Sequence, residues 1–276
     1  MIYYLFRQAY WFCIVLINEF VFLELQMKEI TKLYKRFVFN FKNKVNLDIE
    51  NVNNKSLNEL FNHFGTDKGT KVLNPYSKES NEIHGHGFAK FYEKEFKHYK
   101  NKKLNILEIG TWEGASSAAF VNYFPNAIIY CIDKNFRFKF KSKRITFFNC
   151  DINNKKDMNR FSSKFNNINF KIIIDDASHI LSDMIKSLKF FFKQLDSTGI
   201  FVIEDFNAPV YFEALNDTKG EELFMNNLLK NIMKRKKFKS NILSNSDQEY
   251  LFKNIKDIKI FKGKTKISDI AFITKK

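Results

Sequence analysis

The stretch "LNILEIGTWEGASS", residues 104–117, decides the fold. Its first half is apolar apart from Asn105 and Glu108 and too short for a buried helix, so it reads as a strand shielded on both faces. Gly110 and Gly114 then frame a tight turn, and the small residues that follow open a helix over 114–123. A strand that turns through glycine straight into a helix is the first unit of a parallel sheet. Outward from it the rhythm repeats. "AIIYCID" (127–133), "RITFFNCD" (144–151), "FKIIIDD" (170–176) and "GIFVIED" (199–205) read as four more buried strands, with helices over 155–165 and 182–195. "EELFMNNLLKNIMKRKKF" (221–238) reads as a further helix, and "IKDIKIFKG" (255–263) and "ISDIAFITKK" (267–276) as a closing pair of strands.

These elements define an α/β class: a Rossmann-like, doubly wound, mostly parallel seven-stranded sheet with helices on both faces, over residues 104–276. A polar lead-in, residues 51–103, precedes this core and is placed to cap it. Its centre is loop-like because of Gly65, Gly69, Pro75, Gly85 and Gly87, while "HGFAKFYEKEF" (86–96) reads as an amphipathic helix. Residues 51–276 therefore form one domain, and residues 1–50 an N-terminal helical or loop extension with an apolar segment (1–26) and a basic linker (27–50).

Arg7, Glu19 and Glu24 interrupt the apolar segment, and its longest uncharged run, Gln8–Asn18, has 11 residues where a membrane span needs about 20. It has neither the leading basic residues nor the small-residue cleavage site of a signal peptide. Two readings stand: peripheral contact of residues 1–26 with a membrane or partner surface, or an extension upstream of a start at Met27. Thirty-three Phe in a 45% hydrophobic chain supply ample core and exclude wholesale disorder. The net charge of +16 is spread over many lysines, with one dense cluster at 234–239. No stacking or zinc-finger pattern accompanies it, so nucleic acid is not the expected partner. Cys13, Cys131 and Cys150 are odd in number and lack CxxC spacing. They read as reduced thiols, in keeping with a cytoplasmic protein. A homo-oligomer is compatible with all of this.

In open parallel sheets, ligands bind beyond the carboxyl ends of the strands. Here each of the five strands ends in acid: Glu108, Asp133, Asp151, Asp175 with Asp176, and Glu204 with Asp205. The glycine turn lacks GxGxxG, because Trp112 and Glu113 fill its middle; that disfavours a pyrophosphate and suits a nucleoside bearing positive charge. Asp133 is placed for both hydroxyls of a ribose and Asp151 for the exocyclic amine of adenine. Together the acids describe an S-adenosylmethionine pocket whose expected contacts are Glu108, Gly110, Gly114, Ser116, Asp133, Asp151 and Asp175. The blander role for Asp175 is to cap the next helix or hold its loop.

At this point "NILEIGTWEGASS", "NYFPNAIIYCID", "IIIDDASH" and "GIFVIEDF" resemble class I S-adenosylmethionine-dependent methyltransferases, in particular the metal-dependent sugar O-methyltransferases of the macrocin and mycinamicin type. "FGTDKG…HGHGFAKFYEKEF" resembles that group's N-terminal signature. The resemblance covers about Leu57 to Asp205, more faintly the C-terminal strands, and not residues 1–50. It implies that Asp176, Glu204 and Asp205 hold a divalent metal, that His179 is the general base beside Asp176, and that Asp133 and the Glu108–Gly110 turn touch the cofactor. Two departures stand out. Ala177 replaces a usual Gly, which would cost about 1 kcal/mol if the position needs positive φ, and Phe88 replaces a common Tyr, removing a hydroxyl.

Three carboxylates, with no Cys or second His in the strand-end set, favour Mg²⁺ over Zn²⁺. The expected activity is metal-assisted O-methylation of a sugar-type or other hydroxylated small molecule. The alternatives are a metal-independent small-molecule methyltransferase and a non-catalytic basic binding protein on a degenerate Rossmann-like scaffold. His84 and His86 lie in a glycine-rich loop, within reach of substrate or metal or simply solvated; His63 and His98 read as surface or packing residues.

Overall fold

The computed structural model describes residues 27, 29–49, 52, 55–73 and 82–276, so the expectations for segment 1–26 lie outside the described residues. Two units emerge, divided between Asn43 and Lys44. The first holds a helix, α1 (29–41), with Ile30, Leu33, Tyr34, Phe37 and Phe41 exposed along it.

The second unit begins with β1 (Val45–Asn46), α2 (Leu57–Phe64), β2 (Lys71–Leu73), β3 (Glu82–His84) and α3 (Ala89–Phe96). It continues with β4 (Leu104–Ile109), α4 (Ala115–Tyr123), β5 (Ala127–Asp133), β6 (Phe140–Lys141), β7 (Ile145–Asn149), α5 (Lys155–Phe165) and β8 (Phe170–Asp175). It ends with α6 (Leu181–Gln194), β9 (Leu195–Ile203), the short α7 (Ala208–Tyr211), α8 (Met225–Met233), α9 (Asn245–Asn254), β10 (Ile255–Lys262) and β11 (Asp269–Lys275).

Seven strands form the main sheet in the order β10-β11-β9-β8-β4-β5-β7. The five from β7 to β9 pair in parallel, with Ile106 opposite Ile129 on one side and Ile172 on the other. β11 runs antiparallel to β9, and β10 antiparallel to β11. From β4 the chain steps outward to β5 and β7 and later returns to lay down β8 and β9. The carboxyl end of β4 is thus the point where winding reverses, and there a crevice opens.

Side chains alternate across the strands. One face carries Leu107, Ile109, Ile173 and Phe201 into a core filled by α5, α6, α8 and α9. α6 presents Leu181, Ile185, Leu188 and Phe192 at helical spacing. Phe161 packs at that core's centre, edge-on to Phe191 with 5.4 Å between ring centroids. The other face sends Glu108 toward the start of α4, where Phe61, Tyr92, Phe120, Phe124 and Phe272 interlock edge-on or tilted.

Three expectations need correction. The helix expected over 221–238 spans only Met225–Met233 and gives way where Arg235 adopts φ 52°. α9 comes as an addition; its start is set by a capping box in which Ser244 and Asp247 bond each other's backbone amides. The lead-in is less loop-like than its composition suggests, because α2 has its own capping box, Ser56 with Glu59, and β2 pairs with β3. Cys131 and Cys150 are buried, and neither is in a disulfide among the described residues.

Candidate active site

At the carboxyl ends of β4, β5, β7 and β8 lies a cavity of about 710 Å³, within the usual range for a small-molecule site. Ile109–Glu113, Ile132–Asn135, Cys150–Asn153 and Asp176–His179 line it, with Phe64–Asp67 from the lead-in. Gly110 has φ +83°, and a Cβ there would overlap the Asp176 carbonyl and the Ala177 backbone. Glycine is therefore required because two backbone loops, those after β4 and β8, touch each other at the cavity floor.

Trp112 is half-exposed, with the Arg137 guanidinium 4.0 Å above its ring. Its amide donates to Asp133 Oδ2 at 2.9 Å, and the Asn135 amide donates to Oδ1 at 2.7 Å. Asp133 thus faces the cavity with one lone pair of each oxygen still open. Asp151 accepts from the Asn153 amide at 3.0 Å and also lines the cavity.

Glu108 and Ser116, both expected to touch the cofactor, bond each other. The Glu108 carboxylate is fully buried and bonded by the hydroxyls of Ser116 and Ser117, which fastens β4 to the first turn of α4; Ser116 lines the cavity and Glu108 does not. Gly114 has φ 92° at the helix start, and a Cβ there would meet the Phe138 ring.

Beside the cavity, Asp176, His179 and Asp205 converge, with one potential ligand atom from each lying within 4.8 Å of the others. His179 and Asp205 both hold positive φ, 55° and 47°, conformations that L-residues keep only where surroundings enforce them. Ala177 is not among the positive-φ residues, so the cost anticipated for it does not arise. Burial pushes the Asp205 carboxyl up to about 6, against the pull of His86 and His179. Asp205 Oδ1 is buried and makes no hydrogen bond among the described residues. Asp175, behind the cluster, is pushed up to about 7, mainly by burial.

Glu204 sits next to this cluster but is occupied otherwise. Lys68, only 1% exposed, lies 2.9 Å from Glu204 Oε2 and also bonds Asp176 Oδ2. The Tyr92 hydroxyl donates to Glu204 Oε1. Burial alone would pull the Lys68 ammonium down, yet Asp176, Glu204, Asp67 and Glu108 hold it well above the ordinary lysine value. Burial, with Asp176 nearby, pushes Glu204 upward.

His86 completes the arrangement. Its Nδ1 lies 2.6 Å from Ser268 Oγ and 3.3 Å from Asp205 Oδ1, and its Nε2 lies 3.5 Å from Asp67. Phe88, fully buried, stacks on the His86 ring. His63, His84 and His98 are exposed.

The structure therefore gathers Asp176, His179 and Asp205, sets Glu204 behind Lys68, and spaces Asp133 and Asp151 around the cavity. Sequence reasoning missed Lys68 and Tyr92. The only signal for Lys68 is its place in "TDKG", whose turn is pinned when the amides of His86, Gly87 and Phe88 donate to the carbonyls of Asp67, Gly69 and Lys68.

The sheet order and the crevice at its switch point are those of a fold shared with a solved methyltransferase. MycE, a methyltransferase of the mycinamycin pathway solved with Mg and SAH, superposes with a TM-score of 0.60 at 24% identity, covering 80% of this chain and 55% of that one. A second MycE structure, with Mg, SAH and mycinamycin VI, gives 0.61 at 23%. Among curated proteins the chain is similar to mycinamicin VI 2''-O-methyltransferase of Micromonospora griseorubida, 30% identical over 127 residues, which are 44% of this chain and 31% of that protein. Demethylmacrocin O-methyltransferase of Streptomyces fradiae is 29% identical over 127 residues, 44% and 32% of the two lengths. The resemblance read from the motifs holds against these proteins. The chain spans about a third of the length of the curated relatives it matches. It matches no family profile.

Proposed function

We propose that the chain is an S-adenosylmethionine-dependent O-methyltransferase that acts, with a divalent cation, on a hydroxyl of a sugar-type small molecule. The observation that carries this reading is the convergence of Asp176, His179 and Asp205 beside a cavity lined by Asp133 and Asp151. The names of both relatives, each an O-methyltransferase, support it, as do the Mg and SAH in the MycE structures.

The methyl donor would lie in the cavity, its ribose on Asp133, its adenine toward Asp151 and its amino-acid end over the Gly110 turn. The buried Asp205 Oδ1, which has His86 Nδ1 at 3.3 Å but accepts no hydrogen bond among the described residues, and the adjacent Asp176 are hard oxygen donors that fit Mg²⁺. When bound, such a cation supplies the Lewis acidity that brings an alcohol proton within reach of a base of ordinary strength. His179 is that base. It lies 3.6 Å from Asp176 Oδ1 through Nε2, which orients the ring and stabilises it once protonated. The freed oxygen then attacks the sulfonium methyl carbon, the C–S bond breaks, and S-adenosylhomocysteine leaves. Placing the two reactants side by side supplies much of the acceleration.

Transfer of labelled methyl from S-adenosylmethionine to a panel of vicinal-diol glycosides, with and without EDTA, tests the reading. His179→Gln should cut kcat by about 10²–10⁴ while cofactor affinity stays within about threefold. Full activity in that variant would remove His179 from the chemistry.

A further inference from the structure

Lys68 is a fully buried lysine set between Asp176, a member of the candidate cation site, and Glu204 beside that site. A buried ammonium is costly unless its charge is matched, and here it is matched by acids remote in sequence. Both oxygens of Glu204 are engaged, one by Lys68 and the other by Tyr92. Asp176 is divided: Oδ2 meets Lys68 and Oδ1 faces His179. No contact joins Lys68 to Asp205, whose Oδ1 has no hydrogen-bond partner among the described residues. The pinned turn around Lys68 places the ammonium from a fixed base.

We propose that the Lys68 ammonium is a built-in cation of this site, holding Asp176 and Glu204 together where a divalent ion would otherwise bridge them. Ion uptake is thereby confined to the face made by Asp176, His179 and Asp205. Lys68 is a positioning residue, and its role rests on reading this acid cluster as the catalytic centre.

The prediction is an ion rescue. In EDTA, Lys68→Met leaves the buried Glu204 and the partly buried Asp176 without a counter-charge and should melt about 10 °C below the unsubstituted protein. Millimolar MgCl₂ should restore most of that loss in the variant and raise the unsubstituted protein far less. Manganese binding, followed by electron paramagnetic resonance, should tighten about tenfold in Lys68→Met. The double variant Lys68→Met/Glu204→Gln should regain stability in EDTA and respond to MgCl₂ no more than the unsubstituted protein. If Lys68→Met fails to fold, recovery in the double variant supports the proposal and failure to recover contradicts it. An unchanged melting point in EDTA, or a magnesium gain no larger than that of the unsubstituted protein, overturns it. Stabilisation by S-adenosylhomocysteine, measured on the same samples, reports separately on the methyltransferase reading: its absence would sink that reading and leave an observed ion rescue standing.

Discussion

Asp175 shows what a single buried residue does to the behaviour of the site. Its carboxyl has an ordinary value of 3.8 and is pushed up to about 7 in the fold, chiefly by burial. The folded protein therefore holds this proton more tightly than the unfolded chain does. Its contribution is complete below about pH 4 and is lost as pH rises through 7, so stability falls across that window. Asp205, pushed up to about 6, acts with the same sign. Urea unfolding in EDTA from pH 4 to 8 should show a decline, of which Asp175→Asn removes a part on the order of 2–4 kcal/mol. A variant with the same slope as the parent would show that Asp175 ionises freely. At this scale the sequence was partly legible. An acid at each strand end could be placed because the apolar run before it fixes where the strand stops. Lys68 could not be placed, since its partners lie more than a hundred residues further on and no local pattern marks them.

Elements differ in how far their own residues decide them. β4, β5 and β8 were legible because near-continuous burial needs near-continuous apolar sequence, and glycine or acid marks each end. α9 was not: Asn245–Asn254 is polar, with only Asp247, Gln248 and Leu251 buried. Its cap and its contacts with Lys189 and Lys193 hold it, through Asp247. Ser244→Ala removes the hydroxyl that accepts from the Asp247 amide, and thermal or urea unfolding should show a loss of about 1 kcal/mol. No loss would mean that the lysine contacts alone set the helix start. The helix expected to run to 238 failed for a related reason: positive φ at Arg235 ends it, and the basic run beyond it carries no apolar periodicity to reveal the break.

For the whole molecule, topology does what no element can. The order β10-β11-β9-β8-β4-β5-β7 brings the ends of β4, β5, β7 and β8 to one rim. It also lets a lead-in turn reach from residue 68 to the acids at 176 and 204. The doubly wound arrangement was legible, because alternating strands and helices admit few windings. The division of the acids into a Lys68-bound pair and an open face was not, because only the folded lead-in creates it. Placing S-adenosylmethionine and a cation on that rim is the step from which everything about function follows. Titration calorimetry of the full chain with S-adenosylmethionine, in EDTA and again in MgCl₂, tests it most directly. One-to-one binding that Asp133→Ala weakens at least about tenfold is the expected result; absence of binding heat under both conditions would contradict it.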